Sequence, residues 1–232
     1  MNAPDLTQIA SQIESEDYRD RMLALVALRQ VPATDAVPLI KKLLNDRHGY
    51  LRSMAVFALG LKRTDECYLL LTQLLATDPD YGIRADAAGA LGYLEDPRAF
   101  DHLVRAFYED NEWLVRFSIA VSLGNLKDPR ARDVLLQALD SDEAVMQHAA
   151  IAALGEIGDL HSLENLLQFV RSDDWLTRQR LANALGHLPH PKSISALKYL
   201  QKDPNPTVAE TATFSLQQLN PNLDSKQPNA SP

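Results

Sequence analysis

The sequence predicts an all-α protein, an α-solenoid of seven helix pairs, and three observations lead there. A phrase recurs every 31 or 32 residues along nearly the whole chain. Each copy divides into an alanine-rich stretch and an amphipathic one, both with apolar residues at helical spacing. No stretch alternates apolar and polar residues as a half-buried strand would. A constant period of this size marks repeats that bury their apolar faces only against their neighbours.

The repeats align on Leu28, Leu59, Leu91, Leu123, Leu154, Leu185 and Leu216. Around these stand "RMLALVALRQV", "RSMAVFALGLK", "RADAAGALGYL", "RFSIAVSLGNL", "QHAAIAALGEI", "RQRLANALGHL" and "AETATFSLQQL". Gly60, Gly92, Gly124, Gly155 and Gly186 follow the leucines, where they either admit a close helix approach or begin the unwinding into a turn. Asp96-Pro97 and Asp128-Pro129 then read as N-cap and first residue of the next, amphipathic helix. The ends depart from the pattern as caps should, with Arg29 and Gln217 at the glycine position. Residues 1–220 are expected to form the solenoid, and the polar residues 221–232 a disordered tail.

The bulk chemistry narrows the function. A net charge of −8 over 232 residues argues against nucleic acid as the main partner. No apolar run has the length of a membrane span, so membrane insertion is not expected. A single cysteine, Cys67, and a start without a basic, apolar leader point to the cytoplasm. No phosphate loop, nucleophile elbow or zinc pair is visible, and no cofactor is required. His187 and His190 flank a turn too loosely for a metal signal, and Cys67 reads as a packed small hydrophobe.

Seven residues before each leucine stand Arg21, Arg52, Arg84, Arg116, Gln147, Arg178 and Ala209. Such arginines either brace an acid of the preceding turn (Asp46, Asp78, Asp110 or Asp173) or bind a ligand, and bracing is the simpler reading of the ladder as a whole. Three residues before the arginines come Tyr18, Tyr81, Trp113 and Trp175, with Tyr50 displaced by one; Phe117 and His148 each follow a rung by one. The aromatics either seal the helix junction or offer π-faces beside guanidinium groups in a concave groove suited to a flat conjugated anion. Asp86 has no acidic counterpart in the other repeats. It is either solvated, paired with Arg84 or another rung, or a proton donor or N–H acceptor beside the groove. The candidate ligand groove is therefore Tyr81, Arg84, Asp86, Trp113, Arg116, Phe117, His148, Trp175 and Arg178.

The runs "YGIRADAAGALGYLEDPRAF" and "WLVRFSIAVSLGNLKDPRA" resemble the HEAT-like repeats of the cyanobacterial phycobilisome lyase family, and the similarity extends over residues 15–220. Within that family the region is most similar to the members that act in phycobilisome degradation. The resemblance implies a phycobiliprotein partner, phycocyanin or allophycocyanin, and a linear tetrapyrrole ligand, with phycocyanobilin the candidate. It implies a disassembly factor that assists bilin detachment and, if an enzyme at all, a bilin lyase. The family carries no short catalytic motif to transfer, so no catalytic residue is named. A non-catalytic adaptor and one subunit of a heterodimeric lyase stay open as alternatives.

Overall fold

The computed structural model describes residues 5–219, so the tail expected at 221–232 lies outside the described residues. Fourteen α-helices follow one another within them, in seven pairs. The pairs are α1 (Leu6–Ile13) with α2 (Tyr18–Ala27), α3 (Ala33–Leu43) with α4 (Gly49–Gly60), α5 (Asp65–Thr77) with α6 (Tyr81–Leu94), and α7 (Ala99–Glu109) with α8 (Trp113–Leu126). They continue with α9 (Arg132–Leu139) and α10 (Ala144–Ile157), α11 (Leu163–Leu167) and α12 (Trp175–Leu185), and α13 (Pro191–Leu200) and α14 (Pro206–Leu219). No strand occurs among the described residues. The chain forms two compact units that meet between Ser122 and Leu123, inside α8.

The seven leucines are the core of the repeats: six have no exposed surface and Leu216 is 5% exposed. The amphipathic helices bury one stripe, as α7 does with Ala99, Phe100, Leu103 and Phe107. The alanine-rich helices bury far more. In α6, Ile83, Ala85, Ala87, Ala88, Ala90, Leu91, Gly92 and Leu94 are all buried. That helix packs on its own partner α5 and also on α4, so two sides must be small enough for close contact.

The glycines make that contact closest. In the first unit a Cβ on Gly60 would lie 2.9 Å from the backbone of Ala90, and one on Gly92 2.7 Å from Ser122 Oγ. In the second unit the same approach joins Gly124 to Ala153, Gly155 to Ala184 and Gly186 to Ser215. Close approach is the role all five glycines share, and Gly186 also ends its helix as the C-cap of α12. Left-handed backbone falls to other residues: Glu95 and Lys127 take φ of 53° at helix ends, and Gly158 72°.

The Asp-Pro pairs need a correction. Asp128 caps a 3-10 turn, Pro129–Ala131, and α9 begins only at Arg132. Asp96 accepts the Arg98 N–H in a turn, and α7 begins at Ala99. The proline φ suits the tighter turn as well as an α-helix, so the motif marks the bend and not the first α residue.

Candidate functional site

Three of the alanine-rich helices, α2, α6 and α12, start alike. An aspartate caps the helix by accepting N–H groups, as Asp17, Asp80 and Asp174 do, and an aromatic residue follows it. At the first helical position that side chain lies beyond the packed turn and projects outward. Tyr81 is 49% exposed, Trp113 51% and Trp175 44%, and Tyr50 is exposed as well. These aromatics therefore do not seal the helix junctions. Tyr18, half-buried with its ring edge-on to His48, is the exception.

One turn further on, three rungs of the arginine ladder are consumed internally. Arg84 clasps Asp110 through Nε (2.7 Å) and Nη2 (3.1 Å) and donates to the Asp78 carbonyl at 2.9 Å. Arg21 does the same with Asp46 and the carbonyls of Ser15 and Glu16. Arg178 repeats it with Asp203 and the carbonyls of Ser172 and Asp173. This corrects the bracing partners: the preceding turn gives carbonyl oxygens, and the carboxylate comes from the next repeat. The hydrogen bonds to aspartate raise all three guanidinium pKa values. Burial pushes Asp110 up, but the Arg84 hydrogen bond and the Glu112 N–H outweigh it and hold the carboxyl below its ordinary range. Arg52 makes a looser pair with Asp80 at 3.1 Å.

Arg84 also lines a cleft of about 360 Å3 whose other charged walls are Asp78, Glu109, Asp110 and Glu112. An anionic ligand entering there would meet four carboxylates around a cation already neutralised. In the second unit, Arg178 lines a cleft of about 310 Å3 with Asp173 and Asp203.

Arg116 is different. It is half-buried in α8, one turn after Trp113, and makes no side-chain hydrogen bond or ion pair among the described residues. Asp110 feels its charge but is already held by Arg84. The braced arginines pair with an aspartate that also accepts the N–H two residues on, as Asp46, Asp110 and Asp203 do. In the turn before α10 that role belongs to Ser141. Gln147, the rung of α10, has no guanidinium and donates to the Ser141 carbonyl. Arg116 thus keeps the cation of the ladder without a clasp, and half-buried Phe117 stands next to it.

Asp86 does not pair with Arg84. Its Oδ2 accepts a hydrogen bond from Ser53 Oγ of α4, and no cation joins it among the described residues. Burial raises its pKa, the Ser53 bond opposes that, and the charge of Asp80 adds to it. Tyr81, Arg84, Asp86, Trp113, Arg116 and Phe117 all belong to the first unit. His148, Trp175 and Arg178 belong to the second, where His148 Nε2 lies 3.0 Å from Asp174 and 2.8 Å from Thr177 Oγ1. His148 is therefore engaged at the cap of α12.

Several contacts escaped the sequence reading. Lys62 stands where the other repeats carry Val31, Leu94 or Leu188, and its buried amine donates to the carbonyls of Arg29 and Val31. Burial lowers its pKa. Phe57 and Tyr93, both exposed, meet edge-on with ring centroids 5.4 Å apart. Cys67 is fully buried and its thiol pKa is raised by burial, as a packing residue requires. His190 caps α13 through Nδ1, while His187 faces Glu156 at 4.0 Å.

A family model described as HEAT repeats matches residues 68–154 and 133–217. Among solved structures, the chain is similar to the complex of CpcE and CpcF of phycocyanin lyase from Nostoc sp. PCC7120, at 20% identity and TM-score 0.60, over 94% of this chain and 97% of that one. It is also similar to a chain from the structure of Kap95p bound to RanGDP, at 14% identity and TM-score 0.63, over 98% of this chain but 37% of that one. No curated protein matches the chain. At these identities the structural likeness is one of fold. The two family matches run together over residues 68–217, well over half the chain, and cover the Gly124–Ala153 and Gly155–Ala184 contacts that stack its helices. The chain belongs to the family of HEAT-repeat proteins.

Proposed function

We propose that this protein binds the linear tetrapyrrole of phycobiliproteins, together with the subunits that carry it, and assists bilin detachment as the phycobilisome is dismantled. The observation that carries the reading is Arg116. A half-buried guanidinium without an acceptor among the described residues, one turn from an exposed tryptophan, can clasp a carboxylate while the indole stacks on a conjugated plane. A bilin offers both, being long, flat and conjugated with two propionates. Phycocyanobilin is the ligand, and phycocyanin and allophycocyanin are the partners.

Two further points support this reading. The run from Tyr81 to Leu135 resembles the phycobilisome degradation protein NblB. The fold is also shared with CpcE and CpcF of phycocyanin lyase. Within the first unit, Trp113 and Arg116 are the anchor of the candidate groove, and Tyr81, Asp86 and Phe117 are its further members. Arg84 and Arg178 serve as braces, each within its own unit, while Trp175 stands exposed on the second unit and His148 is engaged at the cap of α12.

The bracing of Arg21, Arg84 and Arg178 favours a second reading, a non-catalytic HEAT adaptor that binds a protein segment. A lyase active only as one subunit of a heterodimer is the third. Incubation with holo-phycocyanin, following the bilin spectrum and its covalent attachment, separates them. A change in the bilin band with the single chain supports bilin handling, and a change only with a partner chain supports the heterodimer. An unchanged spectrum leaves the adaptor.

A further inference from the structure

The exposed surface of α6, beside its contacts with α4, carries a bare position that the fold does not require. Gly89 lies in the interior of α6, partly exposed, and a Cβ built there would meet nothing within 4 Å. Gly60 and Gly92, in contrast, are pressed against neighbouring helices. Glycine is a poorer helix former than alanine, and in an ordinary helical conformation it gains nothing from its freedom. Neither packing nor backbone conformation in this chain accounts for it. The same repeat position elsewhere in the first unit holds Val26, Phe57 and Val121, all exposed apolar side chains. Gly89 is the missing one.

The bare position is framed at both ends by contacts between α4 and α6. Toward the start of α6, Ser53 donates to Asp86 Oδ2; toward its end, Phe57 meets Tyr93 edge-on at 88°. Asp86 and Tyr93 are two turns apart, so the bare backbone between them extends roughly 10 Å along the helix. Asp86 Oδ1 accepts no hydrogen bond among the described residues. A carboxyl half withdrawn from water, with an acceptor to spare and no cation, complements an N–H donor. The aromatic pair at the other end complements a ring face or edge.

We infer that the Gly89 notch seats one pyrrole-type ring of the ligand, its plane against the Gly89 backbone and the Phe57–Tyr93 pair and its N–H directed at Asp86. This rests on the tetrapyrrole reading of the Trp113–Arg116 anchor and adds a second point of attachment. Glycine is needed because any side chain at 89 would occupy the place of the ring.

The test is titration of phycocyanobilin into the full chain and into Gly89→Ala, Gly89→Leu and Asp86→Asn, read by the long-wavelength absorbance. Helicity and thermal midpoint are measured alongside. Gly89→Leu points into open space and replaces a poor helix former, so the midpoint should hold or rise while affinity falls at least about tenfold. Gly89→Ala should weaken binding less, and Asp86→Asn should move the absorbance band of the bound pigment. If Gly89→Leu binds like the parent while Trp113→Leu binds weakly, the notch is wrong and the anchor stands. If the parent itself binds no bilin, both inferences fall.

Discussion

Arg84→Ala and Arg116→Ala, although at the same repeat position, should differ sharply in stability. Arg84 makes two charge-assisted bonds to Asp110 and donates to the carbonyls of Asp78 and, at 3.5 Å, Pro79, with the Arg84 and Asp110 side chains 18% and 9% exposed. Removing one partner of a fully buried pair costs about 3–5 kcal/mol, because the other charge is left uncompensated. Arg84 retains some contact with water, so a loss of about 2–3 kcal/mol is expected. Arg116 leaves no buried carboxylate behind, and its removal should cost no more than about 0.5–1 kcal/mol. Urea unfolding measures both, with m-values compared so that a shift in midpoint reports stability alone. The acid limb gives a second check. Asp110 titrates below its ordinary value when folded, so its contribution is present above about pH 4 and is lost as pH falls through the depressed value. The gap between Arg84→Ala and the parent should therefore close in acid. Equal losses at Arg84 and Arg116, or a stable Arg84→Ala protein, would refute the division of the ladder into braces and an open rung.

Gly155→Ala places a methyl group 2.7 Å from Ala184 Cα and Cβ. The helices must part, and a loss of roughly 1–3 kcal/mol in urea unfolding is expected. Asp86 has the opposite pH sign to Asp110. Its pKa is raised by burial, so it favours the fold below about pH 4 and the benefit is lost as pH rises through the raised value. Asp86→Asn should melt higher than the parent at pH 7 and no higher at pH 3, as thermal scans at the two pH values would show.

The repeat was legible in the sequence because its physics is local. A leucine that must be buried in every unit recurs at the period of the unit, and all seven are buried. The site was legible only in part. The exposed aromatics and the rungs could be found by spacing, but which rungs are braced depends on a turn of the next repeat, 25 or 26 residues on. That register could have been read by aligning the turns, where Asp46, Asp110 and Asp203 contrast with Ser141. Gly89 and Gly92 look alike in "RADAAGALGYL"; only the packing of α6 against its neighbours gives one a contact and leaves the other open. The bond from Ser53 to Asp86 crosses 33 residues between different helices, and no periodicity within either repeat announces it.

Trp113 and Arg116 are proposed to hold a bilin by its plane and its carboxylate. The most direct measurement is equilibrium titration of phycocyanobilin into the parent and into the double variant Trp113→Leu with Arg116→Lys. Leucine keeps apolar bulk without a π-face, and lysine keeps the charge without the planar fork. Affinity should fall at least about tenfold, or ~1.4 kcal/mol, with helicity and the urea midpoint unchanged. An affinity equal to the parent's would contradict the account and leave the protein a HEAT scaffold with an idle rung.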